Sequence, residues 1–402
     1  MQLRNLLIAI PMVFALAACQ SVGGGKASEE EQAAALAEFS QPQDLFTPHP
    51  EPAPVSEAPP ADLWERIRQG LTWQDMHNAH IGRERDRILA QHNYLPLVSE
   101  RASLYLYYIV EEVERRGLPM EVALLPLVES LLNPFAYSSE QAAGLWQIMP
   151  ATGSDLGLER DWWFDGRRDL RDSTRVALDY LEYLHRSLDD DWLLALAAYN
   201  SGKARVRRAQ RVNRNKGKDT DYWSLRLPRE TRNYVPRLMA LTQIVAYPEA
   251  FAIEIPSVPN SPAFEISDTG GQLEMQRAAK LAGVELSQLR ALNAGHLRWA
   301  TAPDRPELLL PIGRGERFSE GVATLTPEER VRWEYYKIQP GDNLIGIARA
   351  FNTDVALLRQ ANSIRGSMIR AGDTLMIPQG EAWASSLAMA DSEKPAARGY
   401  RV

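Results

Sequence analysis

Between residues 62 and 248, apolar side chains recur three and four positions apart, as at Leu104, Tyr107, Tyr108, Val110 and Val113, with almost no alternating stretch. That spacing places one face of each segment against a core and predicts a nearly all-helical block. Gly, Asn, Pro and Asp punctuate it, giving expected helices over 120–132, 173–187, 192–199 and 230–246. About 185 residues suffice for one compact core, whereas the full 402 exceed what a single core usually holds. Further domains are therefore expected on either side.

Beyond residue 248 the texture changes. Shifting the chain by 69 positions brings Ala279, Lys280, Leu289, Arg290 and Asn293 onto Ala348, Arg349, Leu358, Arg359 and Asn362, an internal repeat. Each copy opens with a short strand (263–266; 335–338), runs through two helical stretches, and closes on an apolar strand ending in proline (308–311; 375–378). Two small βααβ modules follow, over 255–315 and 333–380, and residues 381–402 lack any periodicity.

The N-terminal end reads as an export signal: Arg4, an apolar run from Leu6 to Leu16 too short to span a bilayer, then small residues before Cys19. Cys19 is the only cysteine, so an internal disulfide is excluded. The segment Leu16-Ala17-Ala18-Cys19 resembles a bacterial lipobox, which implies removal of residues 1–18 and lipidation of Cys19. Gln20 at the next position goes with sorting to the outer membrane, facing the periplasm, the inner membrane being the alternative. Acyl chains would hold the protein at a membrane without a spanning helix. Residues 19–61, with Pro48, Pro50, Pro52 and Pro54 at alternate positions, read as a tether or a plain spacer. The net charge of −7 argues against a general nucleic-acid partner.

Within the helical block, Glu129 lies among Leu125, Val128 and Leu132. A carboxyl on an apolar face is costly to ionise, and a raised pKa is what a general acid needs near neutral pH. Alone this segment says little. Three more follow in order: Gly144-Leu145-Trp146-Gln147, Ala198-Tyr199-Asn200, and Glu230-Thr231-Arg232-Asn233-Tyr234. Together they resemble the motifs of family 1 lytic transglycosylases, relatives of goose-type lysozyme, in the arrangement of their membrane-bound murein D subgroup.

The resemblance implies a mainly α, lysozyme-like catalytic domain over 62–248, with Glu129 as acid and base and Ser130 positioning it or the substrate. It further implies that Gly144 and Gln147 line the sugar cleft, that the Tyr199 hydroxyl approaches the carboxyl, that Asn200 holds a turn, and that Tyr234 is a second cleft tyrosine. Trp146 fits either the core or a sugar contact. Glu140, Asp155, Asp161 and Asp165 belong to no matched motif and read as surface charges. With no second acid in view, the two-carboxylate scheme of most glycosidases gives way to attack by the substrate's own C6 hydroxyl, yielding a 1,6-anhydro sugar from peptidoglycan. No cofactor or metal is called for. A hydrolytic muramidase and a murein-binding envelope protein without activity are the alternatives.

The second module, from Tyr336-Lys337-Ile338-Gln339-Pro340-Gly341-Asp342 to Ile377-Pro378, resembles LysM modules, which bind N-acetylglucosamine-containing glycans between two loops. The resemblance points to Asp342, Asn343, Leu344 and Ile369. The first module has Ser267-Asp268-Thr269-Gly270-Gly271 where the second has its Pro-Gly-Asp turn, so it is LysM-like but degenerate. Seven basic residues between Arg205 and Lys218 form either a solvated face or a contact for anionic stems or lipid headgroups.

Overall fold

The computed structural model describes residues 60–378 except 92, 332, 352, 354 and 363. The export signal, Cys19, nearly all of the tether, residues 379–380 and the tail 381–402 lie outside the described residues.

The first 190 of these residues form the helical domain. Its helices are α1 (Leu63–Gly70), α2 (Ala79–Leu89), α3 (Tyr94–Arg115), α4 (Leu125–Ser130), α5 (Pro150–Asp155), α6 (Leu170–Ser187), α7 (Trp192–Ser201), α8 (Lys203–Arg214) and α9 (Arg229–Ala246). Helix α7 is apolar on nearly every side, Leu194 to Ala198 being buried, and α6, α8 and α9 pack around it. Asp191 starts this helix by accepting from the amides of Leu193 and Leu194, satisfying donors that no carbonyl can reach.

The segment 120–132, expected as one helix, is not one. A 3₁₀ turn over Met120–Leu124 leads into the six-residue α4, and Leu131 and Leu132 then take left-handed φ values of 54° and 55°. Pro126 explains the break, since it lacks the N–H that would bond back into the preceding turn. Two successive left-handed leucines are strained, and they follow directly on Glu129 and Ser130.

The first module pairs β1 (Phe264–Asp268) antiparallel with β2 (Glu307–Pro311), with α10 (Met275–Ala282) and α11 (Leu286–Leu292) between them. Its core takes in Phe318 and Val322 from α12 (Gly315–Ala323), so it runs past residue 315, the boundary expected from sequence. After α13 (Pro327–Arg330), the second module pairs β3 (Trp333–Lys337) with β4 (Thr374–Pro378) around α14 (Leu344–Ala350) and α15 (Val355–Ala361).

The repeated asparagine has the same task in both copies. Asn293 donates to the carbonyls of Leu289 and Leu309 and accepts from Leu309 N–H, all at 2.8 Å. Asn362 donates to Leu358 and Met376 carbonyls and accepts from Met376 N–H, at 2.9, 2.9 and 2.7 Å. Each ties the second helix of its module to the closing strand.

The modules differ in what lies beneath them. Leu292 and Leu309 of the first belong to the core of the helical domain, and the Tyr105 hydroxyl donates to Ala291 O at 3.0 Å. The second has a separate core of Ile338, Leu344, Ile347, Ala348, Leu358, Leu375 and Ile377. Asn293→Ala leaves the N–H and C=O of buried Leu309 unpaired together, an expected cost of about 3 kcal/mol, read as a lower urea midpoint.

Candidate active site

Glu129 sits on the last turn of α4, with Leu125 and Leu132 fully buried beside it and Val128 packed on the same core. The Tyr234 hydroxyl donates to its Oε1. Desolvation pushes the carboxyl up from its ordinary 4.5 to about 7; the tyrosine bond, which favours the ionised form, opposes this, and the charge of Glu230 adds to it. Burial and the neighbouring carboxyl likewise hold Tyr234 and Tyr199 well above the ordinary phenol value, so both stay protonated donors.

Helices α7 and α9 deliver the partners. Tyr199 and Asn200 lie at the end of α7, where its apolar run meets the surface. The Tyr199 hydroxyl lies within electrostatic reach of Glu129 and donates its hydrogen bond to Trp146 O at 2.8 Å, on the backbone of the neighbouring loop. Tyr234 alone of the two hydrogen-bonds the carboxyl, because α9 crosses beside α4. Asn200 reaches out to Glu230 Oε1 at 3.3 Å.

Glu230 belongs to the matched segment 230–234, of which the resemblance implies a cleft role for Tyr234 only. It lies four residues before Tyr234, hence on the same helical face, within electrostatic reach of Glu129. Position four back from a cleft tyrosine is the signal that could have found it.

The loop from Gln141 to Ile148 forms another wall. Ser130 Oγ donates to Leu145 O at 2.9 Å, joining the loop to the helix that bears Glu129. Gln147, at φ 47°, donates through Nε2 to Gly144 O at 2.9 Å and Ala136 O at 3.4 Å. Gly144 has φ 80°, and a Cβ there would stand 2.0 Å from Arg167 O, so no other residue fits. Trp146 is fully buried and its indole N–H donates to Thr174 Oγ1 at 3.0 Å; of the two roles open from sequence, it has the core one.

Asp165, read from sequence as a surface charge, is buried, as is Arg167. Arg167 meets both oxygens of Asp165, at 2.9 and 2.7 Å, and its Nη1 donates to Gln141 O and Ile148 O at 2.7 and 3.2 Å, gripping both ends of the loop. Glu140, Asp155 and Asp161 are exposed. Arg205, Arg208, Arg211 and Arg214 are also exposed, and among the described residues they join no ion pair, whereas Arg207 meets Asp189 at 3.1 Å.

In the second module, Asp342 accepts from the Tyr336 hydroxyl and Gln339 N–H, both at 2.7 Å, and Asn343 caps α14 through Gly346 N–H at 2.9 Å. Leu344 is buried in the core and Ile369 is half-buried against it. Two exposed apolar side chains lie beside these residues, Ile345 in the first turn of α14 and Met368 in the loop before β4, 58% and 79% accessible, neither singled out by the motif.

Fold and site together define a lytic transglycosylase: residues 107–222 match the Transglycosylase SLT domain and 336–378 the LysM domain. Residues 264–326 match the LysM-like domain of lytic transglycosylase MltD. The chain is 36% identical over 337 residues to the membrane-bound lytic murein transglycosylase D of Escherichia coli (strain K12), spanning 81% of this chain and 75% of that one. It is 52% identical over 118 residues to a putative tributyltin chloride resistance protein of Alteromonas sp. (strain M-1), over 29% of this chain and 57% of that one. Among solved structures, an inactive mutant of lytic transglycosylase Slt from Pseudomonas aeruginosa is similar over 37% of this chain and 24% of its own, at 25% identity and a TM-score of 0.29. This chain belongs to the family of membrane-bound lytic murein transglycosylase D. No helix among the described residues is long and apolar enough to cross a membrane.

Because the fold holds the proton on Glu129 up to about pH 7 while the unfolded chain releases it near 4.5, stability falls as pH rises through that window. Glu129→Gln should therefore match the parent in urea midpoint at pH 4 and exceed it at pH 8. Tyr234→Phe removes the bond that favours the ionised form, so carboxyl ¹³C NMR should find Glu129 titrating at higher pH still.

Proposed function

We propose that this lytic murein transglycosylase uses Glu129 as its single catalytic acid and base, cutting between MurNAc and GlcNAc and closing a 1,6-anhydro ring on MurNAc. The observation that carries this reading is the desolvated carboxyl of Glu129, protonated to about pH 7 and held by the Tyr234 hydroxyl. In that state it can donate to the bridging oxygen as the bond to C1 breaks. The resulting carboxylate takes the proton of the C6 hydroxyl as that oxygen closes on C1, which restores the acid. The substrate's N-acetyl group would stabilise the positive charge that develops between the two steps.

The remaining residues have supporting parts in this scheme. Tyr234 keeps a hydrogen bond on the carboxyl through both proton states, and Tyr199 fixes the loop that carries Gln147. Ser130 links that loop to α4, Gly144 lets it approach Arg167, and Asn200 sets the direction of Glu230. The SLT and LysM domains imply peptidoglycan binding, and in the second module we assign the glycan contact to the loops of Asp342, Asn343, Leu344 and Ile369. There Asp342 and Asn343 shape the turn, while Ile345 and Met368 offer the apolar surface a sugar ring would cover. Lipidation at Cys19 would place the enzyme on the periplasmic face of the outer membrane, consistent with a relative named membrane-bound.

One observation favours a second reading, hydrolysis: the carboxylate of Glu230 is near enough to influence Glu129 and could activate a water. Digestion of murein in ¹⁸O water with mass spectrometry separates the two. Anhydro ends without label are expected; labelled reducing-end MurNAc as the main product would mean a muramidase. Glu129→Gln should lower turnover by about a thousandfold or more, and the parent rate should fall as pH rises through about 7.

A further inference from the structure

The first module faces the catalytic domain with the loop that, in a LysM module, would form one wall of the glycan groove. Three contacts join it to the segment before α6. Asp165 N–H donates to Gly295 O at 2.9 Å, Leu297 N–H donates to Trp163 O at 2.8 Å, and the rings of Phe164 and His296 meet edge to face at 5.3 Å. A Cβ on Gly295 would stand 2.7 Å from the Phe164 ring, so the approach requires glycine. Arg305 closes the seam: it donates to Glu159 and to Asp172, the latter at 2.7 Å, and its guanidinium covers the Phe164 ring at 4.3 Å.

The groove itself is shut. Met275 N–H donates to Trp299 O at 2.7 Å, Thr301 N–H to Leu273 O at 2.9 Å, Leu273 N–H to Thr301 Oγ1 at 3.0 Å, and Gln272 Nε2 to Thr301 O at 2.8 Å. These bonds zip together the two loops that would have to part for a sugar chain. Among the described residues, the backbone hydrogen bonds between the matching loops of the second module stay at the strand ends, Ile338 N–H to Asp373 O and Gly372 N–H to Ile338 O, both at 2.9 Å.

The seam leads to the cleft. Asp165, whose backbone is held by Gly295, grips Arg167 with its side chain, and Arg167 holds both ends of the loop bearing Gly144 and Gln147. We propose that the first module is a brace for the catalytic cleft, with Gly295 and Arg305 as positioning residues that act through Asp165 and Arg167 on the 141–148 loop. This rests on the reading above that the loop lines the sugar site. Its glycan-binding role has been given up to the docking contact, and capture of murein falls to the second module.

The test uses the full chain with Arg305→Ala and, separately, Gly295→Val. Four quantities are measured: kcat and KM on soluble glycan strands, amide hydrogen exchange of residues 141–148, and retention on insoluble murein. The brace predicts a roughly tenfold loss of kcat, faster exchange across 141–148, and unchanged retention on murein, with Arg305→Lys recovering part of the loss. Faster unfolding or a lower melting temperature alone, with kcat and loop exchange at parent values in Arg305→Ala, overturns it, and so does retention on murein that falls in step with kcat. If Gly295→Val does not fold, Arg305→Ala still decides the question. The exchange measurement does not depend on turnover, so an active Glu129→Gln would overturn the site reading while leaving the brace to be judged by its own result.

Discussion

A carboxyl can stand in an apolar wall only if something else supplies what water would have given it. At Glu129 that supply is the Tyr234 hydroxyl, and the surrounding architecture is arranged so that this one bond can form. Helix α4 ends immediately after the acid and the chain turns away through two left-handed leucines, so the carboxyl stands at an end and not along a packed face. Helix α9 must cross at that end to bring Tyr234 within reach, and α7, apolar all round, is the post against which α9 is set. The proton is retained to about neutral pH because the wall desolvates the group more than the phenol compensates.

How much of this the sequence discloses depends on the range of the forces involved. Helical spacing and the 69-residue repeat are local or self-referential patterns, and the helical block, the two modules and the shared asparagines are legible from them. The four ordered motifs point to Glu129, Tyr199 and Tyr234 through the resemblance they carry together, which no one segment carries alone. Partners are harder. Whether Tyr199 bonds a carboxyl or a backbone carbonyl is settled by where α7 ends relative to the loop of Trp146, a distance no spacing encodes.

Asp165 and Arg167 mislead for a related reason. Two charges in a segment with Asp161, Gly166 and Arg168 look solvated, and their burial becomes visible only once the 141–148 loop and the first module have closed over them. A buried pair of this kind adds little net stability, since desolvation offsets most of the attraction, but removing one partner strands the other. Its value lies in direction: a planar guanidinium held on one side by a carboxylate presents its remaining N–H groups at fixed angles to the two carbonyls of the loop. Glu230 is inconspicuous in the sequence because an exposed acid in the first turn of a helix has an ordinary explanation in the helix dipole.

Asn293 and Asn362 hold their modules together from inside, by bonds to helix and closing strand that never touch the loops at the glycan end. Stability and recognition are thus carried by separate sets of atoms. A duplicated module built this way can rewrite its mouth without unfolding, and one copy can evolve toward an internal partner while its sister remains free to meet an external one. The degenerate turn at Ser267 to Gly271 is in this light a record of changed employment, not of decay.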